Sequence, residues 1–143
     1  MFPTDLAALL SAGLFAGASI YINLVEHPAR LERGTAFALK QFAPSYTRAA
    51  RMQALLAAVG CLTGITTWLL GGSRSWLLGA LLLGLVIPIT LLVIFPVNRR
   101  LLDPGLDPES PLAHDLLARW GRLHSLRSLL SLAAFVVFAW TFR

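Results

Sequence analysis

The chain has 143 residues, of which 57% are hydrophobic and only 13% charged, and its mean hydropathy is +0.71. Soluble domains are about one quarter charged, so a water-exposed globule is excluded in favour of one small single-domain membrane bundle spanning residues 1–143. The formal charge of +5 does not point to nucleic acid, because the basic residues flank apolar runs, where they orient spans in a lipid bilayer.

The first apolar run covers about residues 6–25. It has no Lys or Arg before Arg30, so it lacks the basic start of a signal peptide and reads as a retained span. It ends in "YINLVEHPA", in which Ser19, Asn23 and His27 recur every four residues and so share one helix face, with Glu26 beside it. The stretch 34–53, "GTAFALKQFAPSYTRAARMQ", carries Phe37, Phe42 and Tyr46. It reads as a short amphipathic helix, interrupted at Pro44, that lies against the bilayer boundary.

Gln53 opens the second span, about 54–70, which holds the single cysteine, Cys61. One cysteine permits no internal disulfide. "GGSRS" is a tight turn. The third span, about 76–97, contains Pro88, expected to kink it, and closes on Asn98 in "FPVNRRLL". The loop "DPGLDPESP" follows. Ser110 and Pro111 then open a helix that carries Trp120, His124 and Arg127 at i, i+4, i+7 and continues into the fourth span, about 126–142. Lipid leaves no water for unpaired backbone groups, so all four spans are helices. The G-x-x-x-G pairs Gly13/Gly17 and Gly60/Gly64 provide for close packing inside the bundle or, in the other reading, for a homo-oligomer.

Arg30, Arg33, Lys40, Arg48 and Arg51 lie between the first two spans, and Arg99, Arg100, Arg119, Arg122 and Arg127 between the last two. Only Arg74 and Arg143 lie on the other side. Ten against two puts both connections in the cytoplasm and both termini outside. Eleven arginines to one lysine in an Ala- and Leu-rich chain fit a GC-rich bacterial genome, hence a bacterial inner membrane. Glu26, His27, Gln53, Asn98, His124 and Arg127 then gather near the cytoplasmic boundary from four helix ends. Polar groups at membrane depth are costly and mostly face the interior. Plainer readings stand beside these: a snorkelling Arg127, an aromatic-belt Trp120, a capping Asn98, a Glu26 paired with a nearby arginine, or a helix end at His27 before Pro28.

The stretches "AGASIYINLVEHPARL", "FAPSYTRAARMQ", "IFPVNRRLL" and "LLARWGRLHSLRSLL" resemble, over nearly the whole chain, the anthrone oxygenase-like family of small four-span membrane proteins. The resemblance implies oxidation of anthrones to anthraquinones by dioxygen without flavin or haem, and weight on His27, Asn98, Trp120, His124 and Arg127. The expectation is a membrane-embedded oxygenase acting on an apolar, aromatic small molecule. His27 or His124 would be the base, Arg127 and Asn98 the oxyanion partners, and Trp120, Asn23 and Gln53 the substrate-binding groups. Two alternatives stand beside it. One is iron or copper on Glu26, His27 and His124, or haem on the two histidines. The other is a non-catalytic scaffold or carrier subunit.

Overall fold

The computed structural model describes residues 3–142, all of whose regular structure is helical. Four rods, each long and apolar enough to cross a membrane, account for it: α1 Pro3–Glu32, α2 Thr35–Leu69, α3 Arg74–Leu101 and α4 Pro111–Thr141. They run up-down-up-down, each packed on the next, with α1 against α4 closing the ring. The chain is thus an all-α integral membrane four-helix bundle. Its outer face is apolar: Leu6, Leu10 and Leu14 are 47%, 54% and 63% exposed along one stripe of α1. In water such a surface would aggregate, whereas in lipid it is the solvated face.

The helices extend beyond the apolar cores that hydropathy marks. The connection between α1 and α2 is only Arg33 and Gly34, and Gly34 takes φ +94°, a conformation that glycine alone adopts without strain. This corrects the expected amphipathic segment lying on the bilayer. Residues 35–53 are the first half of α2, and the helix passes through Pro44 without interruption. Phe42 is fully buried and stacks on Tyr46 with ring centroids 5.5 Å apart, so these rings turn into the bundle, while Phe37 faces outward. The buried aromatic packing outweighs the roughly 3 kcal/mol penalty of an interior proline. The loop 102–110 is held by Asx turns at Asp103 and Asp107, and the Ser110 hydroxyl accepts the Ala113 N–H to cap α4.

Two π-helical segments, Ile22–Glu26 in α1 and Thr90–Ile94 in α3, interrupt the α-helical ladder. Both end just before an X-Pro pair, His27–Pro28 and Phe95–Pro96. A proline has no N–H and its ring crowds the carbonyl four residues back. Widening the preceding turn relieves both problems, and the His27 and Phe95 N–H groups reach back five residues, to the Ile22 and Thr90 carbonyls.

The glycine motifs pack inside the molecule at three of four positions. A Cβ on Gly60 would lie 2.5 Å from Leu83, one on Gly64 2.9 Å from Phe138, and one on Gly13 2.9 Å from Phe135, whereas Gly17 meets nothing. Two apolar clusters result. One contains Phe15, Ala57, Leu83 and Phe138 toward the chain termini, and the other Ile22, Phe42, Ile94, Leu117 and Trp120 toward the 102–110 loop. Along each contributing helix the polar residues Ser19, Gln53 and Arg127 fall between members of the two clusters. A polar layer therefore lies between two dry ones.

Candidate functional site

Asn23, on the π-segment of α1, organises the polar layer. Its Nδ2 donates to the Gly121 carbonyl at 3.1 Å and to Ser125 Oγ at 3.0 Å. Its Oδ1 lies 2.7 Å from His124 Nδ1 and accepts from Ser128 Oγ at 2.6 Å. A carbonyl only accepts, so the edge of Asn23 facing Gly121 must be the NH2 and the opposite edge the oxygen. His124 Nδ1 therefore carries the proton, and in the neutral imidazole Nε2 is the unprotonated nitrogen of a ring that lines a small cavity.

That cavity is about 20 Å³, room for one water-sized molecule. Arg127, Gln53, Tyr46, Trp120 and Arg30 line it with His124. The Arg127 guanidinium donates through Nη2 to Gln53 Oε1 at 2.7 Å and lies 5.4 Å from the Phe15 ring centroid, while its Nε is buried with no partner. Among the described residues, no carboxylate comes within ion-pair distance of it. Gln53 is fixed in turn by donation to Ser19 Oγ at 3.3 Å. Arg30 is neutralised, because its guanidinium holds Glu26, whose carboxylate also accepts from the Ser45 hydroxyl. A buried charge without a counter-ion is expensive, which makes Arg127 the unusual member of the set.

The two histidines converge on Trp120. The indole lies 5.0 Å from the His27 ring and 4.7 Å from the His124 ring, centroid to centroid, and Phe42 meets it edge-on at 5.2 Å. His27 does not line the cavity. Its Nε2 lies 3.0 Å from the Leu117 carbonyl, to which it donates, so its unprotonated Nδ1 is buried with no partner. Asn98 is also outside the cavity lining, accepting the Trp120 indole N–H at 2.8 Å with Oδ1 while its Nδ2 is buried and unpartnered. Both residues thus hold Trp120 and α4 in position, and neither presents a polar atom to the cavity. Glu26, His27 and His124 do not assemble as one ligand set: Glu26 is engaged by Arg30 and Ser45, and no metal-binding group of three His, Cys, Asp or Glu occurs among the described residues.

Sequence reading missed Tyr46, Phe42 and Arg30 as members of the site. It missed Gly121 too, although the glycine beside Trp120 in "ARWGRLH" is the signal. A Cβ there would sit 2.8 Å from His27 Cδ2 and Nε2. Gly121→Ala is therefore expected to push the ring off the Leu117 carbonyl and lower the thermal midpoint in detergent by the equivalent of about 1–3 kcal/mol. Adding His27→Ala should recover part of that loss, a coupling that a double-mutant cycle reads directly.

The anthrone oxygenase family model matches residues 42–137. That stretch includes Tyr46, Gln53, Asn98, Trp120, His124 and Arg127 and leaves Asn23 and His27 outside. A curated relative, Anthrone oxygenase tpcL of Aspergillus fumigatus, is 28% identical over 144 residues, covering 94% of this chain and 89% of its own length. No solved structure matches the chain.

Proposed function

The chain belongs to the anthrone oxygenase family, and from that membership we propose that it oxidises a fused-ring aromatic ketone of the anthrone type with dioxygen, using His124 as base and Arg127 as oxyanion partner. One observation carries the assignment. Asn23 fixes His124 with an unprotonated Nε2 on the same cavity wall as a buried guanidinium that lacks a carboxylate partner.

In an anthrone the methylene opposite the ketone is acidic, because loss of a proton makes the central ring aromatic and moves the charge to the ketone oxygen. His124 Nε2 takes that proton, at which point negative charge appears on oxygen. Arg127, held toward the site by Gln53 Oε1, is already present to receive it and needs no reorganisation. The electron-rich carbon then bonds to one atom of dioxygen, and the imidazolium returns its proton to the distal oxygen, giving a carbon-bound hydroperoxide. Removal of the second methylene hydrogen, with cleavage of the O–O bond, yields the new carbonyl and water. The methylene carbon supplies all four electrons, so the balance needs no external reductant. Trp120 closes the small cavity beside His124, and the apolar clusters on either side keep bulk water from the carbanion.

The basic residues toward the 102–110 loop support placing this end of the bundle at the cytoplasmic face. The test is dioxygen uptake by purified protein in lipid nanodiscs supplied with anthrone. The expected result is one dioxygen consumed per anthraquinone formed, above the background autoxidation rate, with one labelled oxygen from 18O2 in the new carbonyl. Uptake no faster than in protein-free nanodiscs would overturn the proposal.

A further inference from the structure

A 20 Å³ cavity cannot hold a three-ring molecule, yet Arg127 faces a second space as well. Between α2 and α3 lies a chamber of about 110 Å³, which shares Tyr46, Ala50, Gln53 and Arg127 with the first cavity. Its inner wall is apolar and buried, made of Phe15, Ala57 and Val86, while Ala54, Ile87 and Leu91 at its rim are exposed on the face that meets lipid.

Two features of the sequence open this gap. Ala50, Ala54 and Ala57 recur at i, i+4, i+7, so one stripe of α2 is small-sided where it faces α3. Opposite it, α3 enters its π-segment at Thr90, whose hydroxyl donates back to the Val86 carbonyl at 2.7 Å. That bond satisfies Thr90 within its own helix and leaves no hydrogen-bonding demand on that side. The remaining polarity is concentrated at the inner end, on Tyr46, Gln53 and the guanidinium.

We propose that this chamber is a lateral binding site that takes the fused-ring body of an aromatic molecule with an ionisable oxygen directly from the bilayer, seating that oxygen against Arg127. The inference rests on the anthrone oxygenase reading for the reaction but not for binding. The occupant follows from the shape and charge of the space. Its mouth opens on lipid, its walls accept rings, and its one cationic group is 7% exposed and unpaired by any carboxylate among the described residues. The volume is smaller than a three-ring frame, so the outer ring remains in contact with lipid between Ala54 and Leu91.

A probe with no methylene left to oxidise separates binding from turnover: 2-hydroxyanthraquinone, yellow when neutral and red when ionised, titrated into the full chain in nanodiscs at a pH where the free dye is neutral. Wild-type protein is expected to bind it saturably in the red form, and Arg127→Met to bind it in the yellow form. Ala54→Phe at the mouth and Ala57→Leu at the inner wall should each weaken binding by about tenfold or more. Leu81→Trp, on a lipid-facing position of α3 away from the chamber, should bind as wild type. Ala54 is surface-exposed, so its variant tests the chamber even if Ala57→Leu fails to fold. Wild-type affinity in Ala54→Phe, or a bound dye that stays yellow in wild type, overturns the proposal. If the dye binds as described but anthrone is not oxidised, the chamber stands and the oxygenase reading falls. If Ala54→Phe oxidises anthrone with unchanged KM, the reverse holds.

Discussion

Replacing His124 by asparagine is expected to lower kcat for anthrone oxidation by about 10²–10⁴-fold with little change in thermal stability. The choice of asparagine matters. Its amide NH2 can stand where the imidazole Nδ1–H donates to Asn23 Oδ1, so the network through Ser128, Ser125 and Gly121 stays satisfied. What is lost is the unprotonated Nε2. Measurement of kcat and KM in nanodiscs, with a melting curve on the same sample, separates a missing base from a damaged bundle. If His124→Asn turns over within about threefold of wild type, less than general-base catalysis provides, proton abstraction by His124 is wrong. His27→Gln should behave differently. That residue bonds the Leu117 carbonyl and does not line the cavity, so its variant should affect the melting midpoint more than kcat.

Arg127→Met gives the second large effect, with opposite signs for activity and stability. Loss of a preorganised oxyanion partner should lower kcat by about 10²–10³-fold. Stability follows from competing terms. Desolvating an unpaired guanidinium costs several kcal/mol. Against this, the variant loses the contact with the Phe15 ring, worth about 0.5–2 kcal/mol, and orphans Gln53 Oε1, at about 1–3 kcal/mol. The desolvation term is the larger, so the melting midpoint of Arg127→Met should equal or exceed that of wild type. Combining it with Gln53→Leu removes the orphaned acceptor and should raise the midpoint clearly. A steep loss of stability in both variants would mean that the guanidinium holds the bundle together. Such a stability–activity trade-off is the ordinary mark of a group retained for binding or catalysis.

Much of this architecture is written in the chain at the level of periodicity. Four apolar runs give four helices, and the i, i+4 spacing of Ser19, Asn23 and His27 and of Trp120, His124 and Arg127 puts those residues inside. Hydropathy failed where a helix continues past its apolar core. Residues 35–53 look like a surface segment because Lys40, Arg48 and Arg51 punctuate them, yet Phe42 and Tyr46 on their inner face complete the site. Arg30 was counted among the loop charges, yet the plainer reading of Glu26, pairing with a nearby arginine, is what the structure shows, and Arg30 is that arginine. The distinction between His27 and His124 was not legible at all. It depends on which backbone carbonyl or amide edge each ring nitrogen meets, and that is decided by contacts between residues 90 to 101 positions apart.

The π-segment in α1 means that the two halves of one span address different neighbours. Before it Ser19 meets Gln53 of α2, whereas Asn23 within it and His27 just after it meet α4. Losing one residue from 22–26 would close the wide turn to an α-helical one and leave the later residues on their present faces, whereas losing one from the uniform α-helix before it, 6–21, would rotate everything downstream by about 100°. The hydropathy profile and the count of spans would hardly change. The second kind of shortened protein would insert as a four-span bundle with its chemistry facing the wrong way, a frame error in three dimensions that no composition-based comparison would detect.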